Sequence, residues 1–197
     1  MKNHKLSKLL LASVISSLTV PTFAQQLEEV VVTASKRAEN LQDIPQAVTA
    51  FSSERLVELG IVETSDLMGA VPNIQVTSAY GRTQPNFSIR GISVANEFSA
   101  ATASPVGVYV DEVYQSFRAS HGQQLFDLES VEVLRGPQGT LYGRNTTGGA
   151  VNVNTIKPSL GEGASGFLNV RLGNYSYADF TGAVEATIIP DVLGVRS

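Results

Sequence analysis

Residues 128–154, LESVEVLRGPQGTLYGRNTTGGAVNVN, place two β-prone runs on either side of a glycine-rich connection. Val131 to Leu134 and Ala150 to Asn154 are the runs. Between them Gln138 to Gly149, with Gly136 just ahead, carries a glycine every few positions. Such a backbone is built to turn sharply or to let another surface approach closely. Gly143 and Gly148 have the spacing of a phosphate loop, but that loop needs Lys and then Ser or Thr directly afterwards, and Gly149-Ala150 stand there instead. Nucleotide binding is therefore not expected.

Working towards the N-terminus, short strand-like runs lie at Val106 to Val110, Phe87 to Arg90 and Ile74 to Thr77, each bounded by Gly, Pro, Asn or Asp. Val110-Asp111-Glu112-Val113 reads as a tight turn rather than as a pair of catalytic acids. Two short helices precede these strands. One runs from Ser53 to Leu59, with Ser52 or Ser53 as cap, Glu54 at the positive end and Gly60 placed for a left-handed stop. The other starts at Thr64 or Ser65 and must end by Ala70, because Pro72 restricts Val71. Mixed short strands and helices predict an α+β domain over residues 44–158.

Towards the C-terminus the pattern changes. Leu168, Val170 and Leu172 alternate with Asn169 and Arg171; after Gly173-Asn174-Tyr175-Ser176, Phe180, Gly182, Val184, Ala186 and Ile188 alternate with Asp179, Thr181, Ala183, Glu185 and Thr187. A period of two over two segments of about ten residues suits a transmembrane β-hairpin, and it suits an antiparallel hairpin on a soluble core equally well. Ile189-Pro190-Asp191 reads as a turn and Leu193 to Ser197 as the start of a third strand.

The first 24 residues have the form of a secretory signal: Lys2, Lys5 and Lys8, an apolar stretch from Leu9 to Val20, and small residues up to Ala24. That stretch contains four Ser or Thr and falls short of the roughly 20 apolar residues of a spanning helix. Removing three of the 14 basic side chains leaves 14 − 3 = 11 against 18 acidic ones, a formal charge of −7, which disfavours a nucleic-acid partner. The chain has no cysteine, so there is no disulfide, thiolate metal site or cysteine nucleophile. His121, the only histidine after the signal, is expected on the surface, without partners of metal-ligand spacing. No catalytic constellation and no cofactor are expected.

Residues 25–43 are polar apart from Leu27, Val30-Val31-Val32 and Leu41, and read as a flexible tail with one β-prone island. An extended stretch near a terminus can be captured by a partner that adds a strand to it, or can be merely the first strand of the domain.

With its neighbours, this island resembles the box of the TonB-dependent outer-membrane receptors. The resemblance is carried by Val71-Pro72-Asn73-Ile74, Phe87-Ser88-Ile89-Arg90-Gly91, Val106 to Val113, and the two halves of the opening segment, Leu128 to Gly139 and Leu141 to Asn152, in that order. It covers Glu28 to Ser197 and implies an α+β plug domain (a small mixed sheet with short helices and long loops) followed by the first strands of a transmembrane antiparallel β-barrel, here residues 159–197. In that family the plug fills a barrel of about 22 strands. TonB, with ExbB and ExbD, supplies energy from the inner membrane.

By this resemblance Glu29, Val30, Val31, Val32, Thr33 and Ala34 would bind TonB. Arg90, Glu132 and Arg135 would belong to a lock between plug and barrel wall, or alternatively Glu132 would pair with Arg135 or Arg90 inside the plug. The expected partners are TonB with ExbB and ExbD, outer-membrane lipid around the barrel, and a small-molecule or metal-chelate substrate, a ferric siderophore before all others. The location is the bacterial outer membrane, with tail and plug on the periplasmic side. No signalling or Ig-like domain is expected ahead of the box. Two or three strands cannot close a barrel, so the sequence reads as part of a longer receptor; the alternative is a free periplasmic plug-like binding module.

Overall fold

A computed structural model describes residues 31–32, 36–37, 39–40, 44–99, 102–122, 124–161 and 163–197. The signal-peptide assignment lies outside the described residues. The chain opens with β1 (Val31–Val32) and β2 (Glu39–Asn40), paired antiparallel, followed by β3 (Val48–Ser52). The six-residue helix α1 (Ser53–Glu58) follows immediately, where Ser52 Oγ accepts the Arg55 amide at 3.4 Å and Glu54 sits at the positive end. Gly60, at φ 66°, ends it as expected. The second helix is a 3-10 turn, η1 (Thr64–Gly69), whose Asp66 carboxylate accepts the Val62 and Glu63 amides at 3.1 and 3.0 Å.

A separate two-stranded ribbon, β4 (Ile74–Thr77) with β5 (Asn86–Ile89), leads to β6 (Val106–Val110) and β7 (Val113–Tyr114). The tight turn between β6 and β7 is present, with Asp111 and Glu112 at φ 46° and 67°. Both oxygens of Asp111 hold Thr155, accepting its amide at 2.9 Å and its hydroxyl at 2.8 Å, so this acid is structural. After a 3-10 turn, η2 (Arg118–His121), come β8 (Leu128–Arg135), the one-turn helix α2 (Gly139–Tyr142) and β9 (Gly149–Thr155).

The main sheet has the order β3-β8-β9-β6-β7, antiparallel except for the parallel pair β6 and β9. Alternation along β8 divides its two faces. Val131 and Val133 join Val151 and Val153 of β9, Val106 and Val108 of β6, Leu56, Leu67, Ile74, Phe87 and Ile89 in the larger core. Burying side chains such as Phe87, Leu67 and Ile89 contributes about 1.5–3 kcal/mol each. On the opposite face Leu134, Ala150, Tyr109 and Tyr142 form a second cluster, roofed by Val32 and Ile44. The glycine-rich connection permits a close crossing: a Cβ on Gly149 would collide with the Leu134 carbonyl oxygen and the Ile89 side chain.

The last sheet has the order β10 (Ala164–Leu172), β11 (Ala178–Ile189), β12 (Leu193–Arg196), all antiparallel. Its two faces separate as the alternation predicts. Phe180, Val184 and Ile188 are exposed on one, while Asp179, Thr181 and Glu185 are half-buried and Ala183 is buried on the other. Among the described residues no helix is long and apolar enough to cross a membrane, a finding that does not bear on strands.

Candidate functional site

The polar face of the main sheet centres on Glu132. Period-two alternation places it beside Ser130 and Leu134, opposite Asn152 on β9, and wholly removed from solvent. A buried carboxylate needs donors. Asn154 Nδ2 donates to it at 3.3 Å and to Ser130 Oγ at 2.9 Å, and Asn152 Nδ2 approaches it at 3.5 Å. Nearby, Tyr109 donates to the Tyr142 carbonyl oxygen at 2.6 Å, and the two rings meet edge-on with centroids 4.9 Å apart. Burial raises both phenols, and the charge of Glu132 raises Tyr142 further.

Arg90 and Arg135 lie elsewhere. Arg90 stands exposed at the end of β5 at φ 53°, its Nη1 3.2 Å from where a Cβ on Gly136 would be. Arg135, at the end of β8, is half-buried with its Nε lacking a hydrogen-bond partner. No ion pair among the described residues joins Glu132 to Arg90 or Arg135. The pairing inside the plug is therefore not formed, because Glu132 and Arg135 point to opposite faces of one strand.

A charged junction joins the two sheets instead. Asp127, at φ 53° just before β8, receives Arg196 of β12 on both oxygens, Nε at 2.6 Å and Nη2 at 2.5 Å. Arg196 Nη1 donates to Glu185 of β11 at 2.9 Å, and Ser165 of β10 donates to the same carboxylate at 2.6 Å. All three charged groups are at least four-fifths shielded, so solvent screens them little. A bidentate arginine fixes orientation as well as distance. The ring contact of Phe126 with Phe167, centroids 6.3 Å apart, lies beside it. Nothing in the sequence singled out Asp127 or Arg196: each is an isolated charge, and the 69 positions between them hide the pairing.

The island of the tail is not free. Val31–Val32 pairs with Glu39–Asn40, and Val32 is fully buried in the second cluster. That much of residues 25–43 departs from the expected flexible tail, because a β-branched side chain found an apolar face to cover. Glu29, Val30, Thr33 and Ala34 lie outside the described residues. His121 is a further correction: it is 2% exposed, held by Gln115 O at 3.0 Å from Nε2, and its carbonyl accepts Thr64 Oγ1 at 2.6 Å. Among the described residues no group of three or more His, Asp or Glu could hold a metal ion.

Comparison with known proteins agrees with this architecture. The pesticin receptor of Yersinia pestis is 34% identical over 138 residues, covering 70% of this chain and 20% of that protein. The vitamin B12 transporter BtuB of Vibrio vulnificus is 26% identical over 163 residues, covering 77% and 25%. The crystal structure of the ferric yersiniabactin uptake receptor FyuA from Yersinia pestis superposes with a TM-score of 0.68 at 28% identity, covering 77% of this chain and 23% of that one. The chain thus spans about a fifth to a quarter of the length of these relatives. The TonB-dependent Receptor Plug Domain profile matches residues 40–150, and the chain belongs to that family.

Proposed function

We propose that this chain is the plug and first wall strands of an outer-membrane transporter that takes up a scarce substrate, a ferric siderophore, with energy delivered through TonB, ExbB and ExbD. In this reading residues 1–24 are the export signal, 25–43 the periplasmic tail, 44–158 the plug and 159–197 the barrel start. The observation that carries it is the two-sidedness of the last sheet. Its polar face clasps the plug through Arg196, and its apolar face of Phe180, Val184 and Ile188 is turned away from the protein, as lipid contact requires. Residues 29–34 are the TonB-binding segment. Arg90, Glu132 and Arg135 supply plug-side charges to a lock whose other half lies on the barrel wall. The siderophore cargo is supported by the likeness to FyuA, named as a ferric yersiniabactin uptake receptor.

Radio-iron uptake from ferric siderophores by cells carrying the full-length receptor tests this. Accumulation should vanish without TonB, and accumulation that persists there rejects the reading. Val31→Pro removes a backbone donor and fixes φ, so it should abolish uptake while ligand binding remains; unchanged uptake would reject the assignment of the coupling segment.

A further inference from the structure

The plug and the last sheet do not meet along their whole length. Two contacts fix which face of β10 and β11 looks towards the plug: Phe167 meets Phe126, and Glu185 shares Arg196 with Asp127. Period two then puts Asn169 and Arg171 of β10, with Thr181 of β11, on that same inward face. Opposite them stand Val57 of α1, Val62 and Phe126, all exposed. Between these two walls lies a cavity of about 670 Å³. The Asp127 and Arg196 pair bounds it where β11 reaches Glu185, and Arg171 borders it where β11 begins, beside Asp179. Interfaces that close pack as densely as a protein interior. Here an apolar wall faces a hydrogen-bonding one, and neither satisfies the other. Val57 keeps 76% of its surface exposed. Among the described residues Arg171 makes one ion pair, Nε to Asp179 at 3.4 Å, which leaves its terminal nitrogens to donate elsewhere.

Each wall calls for a different half of one guest. A wholly apolar molecule would strip Asn169 and Arg171 of water without replacing its hydrogen bonds. A wholly polar one would leave Val57, Val62 and Phe126 without an apolar neighbour. An organic chelate with hydrocarbon or ring surface on one side and anionic or carbonyl oxygens on the other answers both walls, and the volume is that of a small-ligand site. We propose that this slot is an interior site for such a chelate on its way past the plug, its apolar surface against Val57, Val62 and Phe126 and its oxygens on Asn169 and Arg171. The inference rests on the transporter reading above and adds to it a place inside the receptor where the cargo is held.

These 197 residues contain no cysteine, so a single thiol can be set in the slot. In cells carrying the full-length Val57→Cys receptor, trimethylammonioethyl methanethiosulfonate should convert that thiol to a mixed disulfide, read by mass spectrometry. Filling the slot in this way should stop TonB-dependent accumulation of radio-iron supplied as ferric yersiniabactin, while surface binding of the chelate persists. Dithiothreitol should restore accumulation, which separates obstruction from misfolding. Tyr175→Cys, on the hairpin loop outside the slot, should be modified without effect on uptake. Arg171→Gln tests contact rather than bulk: losing one charged hydrogen bond should slow uptake about tenfold with surface binding retained. A thiol at position 57 that stays unreactive would show the slot filled by the rest of the receptor. That result, full uptake after modification, or unchanged uptake in Arg171→Gln overturns the proposal and leaves the transporter reading intact. Wild-type accumulation that persists without TonB, or no accumulation at all, rejects the transporter reading and the slot with it.

Discussion

The main sheet and the last sheet are written in similar alternating sequence and use it in opposite ways. In β8 and β9 both faces are covered, one by the larger core and the other by the cluster around Tyr109 and Tyr142. In β10 every residue is exposed, and in β11 only Ala183 is fully buried. The first sheet is held by its own interior. The second has none: what holds it to the rest of the chain is the Arg196 junction and the ring contact of Phe126 with Phe167 on one face, while its apolar surface awaits a different solvent. Alternation therefore reports where a strand has two environments without saying which environment is water.

The sharpest test of this contrast is truncation on each side. Ile89→Ala should destabilise the plug by about 2–5 kcal/mol, whereas Leu168→Ala should change its stability by no more than about 0.5 kcal/mol, both read by hydrogen exchange of the plug sheet in the full-length receptor. A comparable loss from Leu168→Ala would show that the last sheet shares the plug's core. Next in size is the junction. Asp127→Asn should speed exchange at Ile156, whose amide donates to the Asp127 carbonyl, and at β12, because it removes the charge that Arg196 grips with two donors. Arg171→Gln should leave the same amides unchanged, since the Arg171 and Asp179 pair on the last sheet is open to solvent.

A smaller effect is expected with pH. Burial first, and the Arg118 charge with it, lowers His121 below its ordinary value of 6.5, against a weaker opposing pull from Gln115. The folded state therefore binds fewer protons than the unfolded one in the window below 6.5, and stability should fall as pH drops through that window. His121→Gln should flatten the slope of plug denaturation between pH 7 and 5. Least of all, Tyr142→Phe removes a buried hydroxyl that has no hydrogen-bond partner, so denaturation should show a change within about 1 kcal/mol, directed towards greater stability.

What was legible in the sequence was local. Ser52, Glu54 and Gly60 mark α1 because capping is decided by adjacent residues, and Asp111-Glu112 mark their turn for the same reason. Pro72 correctly ended the second helix, although its backbone is 3-10 rather than α. The β-prone run in the sequence starts at Val131, but β8 begins at Leu128, because a bulge near Glu129 keeps Leu128 in the core despite the broken period. Long-range facts were not legible. The burial of His121, the reach of Arg196 to Asp127 and the hold of Arg118 on the carbonyls of Glu97 and Ser99 all depend on segments brought together by the fold, which no short window of sequence contains.

Docking of Val32 onto the face made by Leu134 and Tyr142 also sets an occupancy. Hiding one valine from water is worth about 1.5–3 kcal/mol, so the undocked tail would be populated roughly ten to a hundred times less than the docked one. If residues 29–34 are the segment that TonB captures, its apparent affinity is lowered by that same fraction. Whatever loosens the cluster around Tyr109 and Tyr142 then tunes how often the receptor presents its handle.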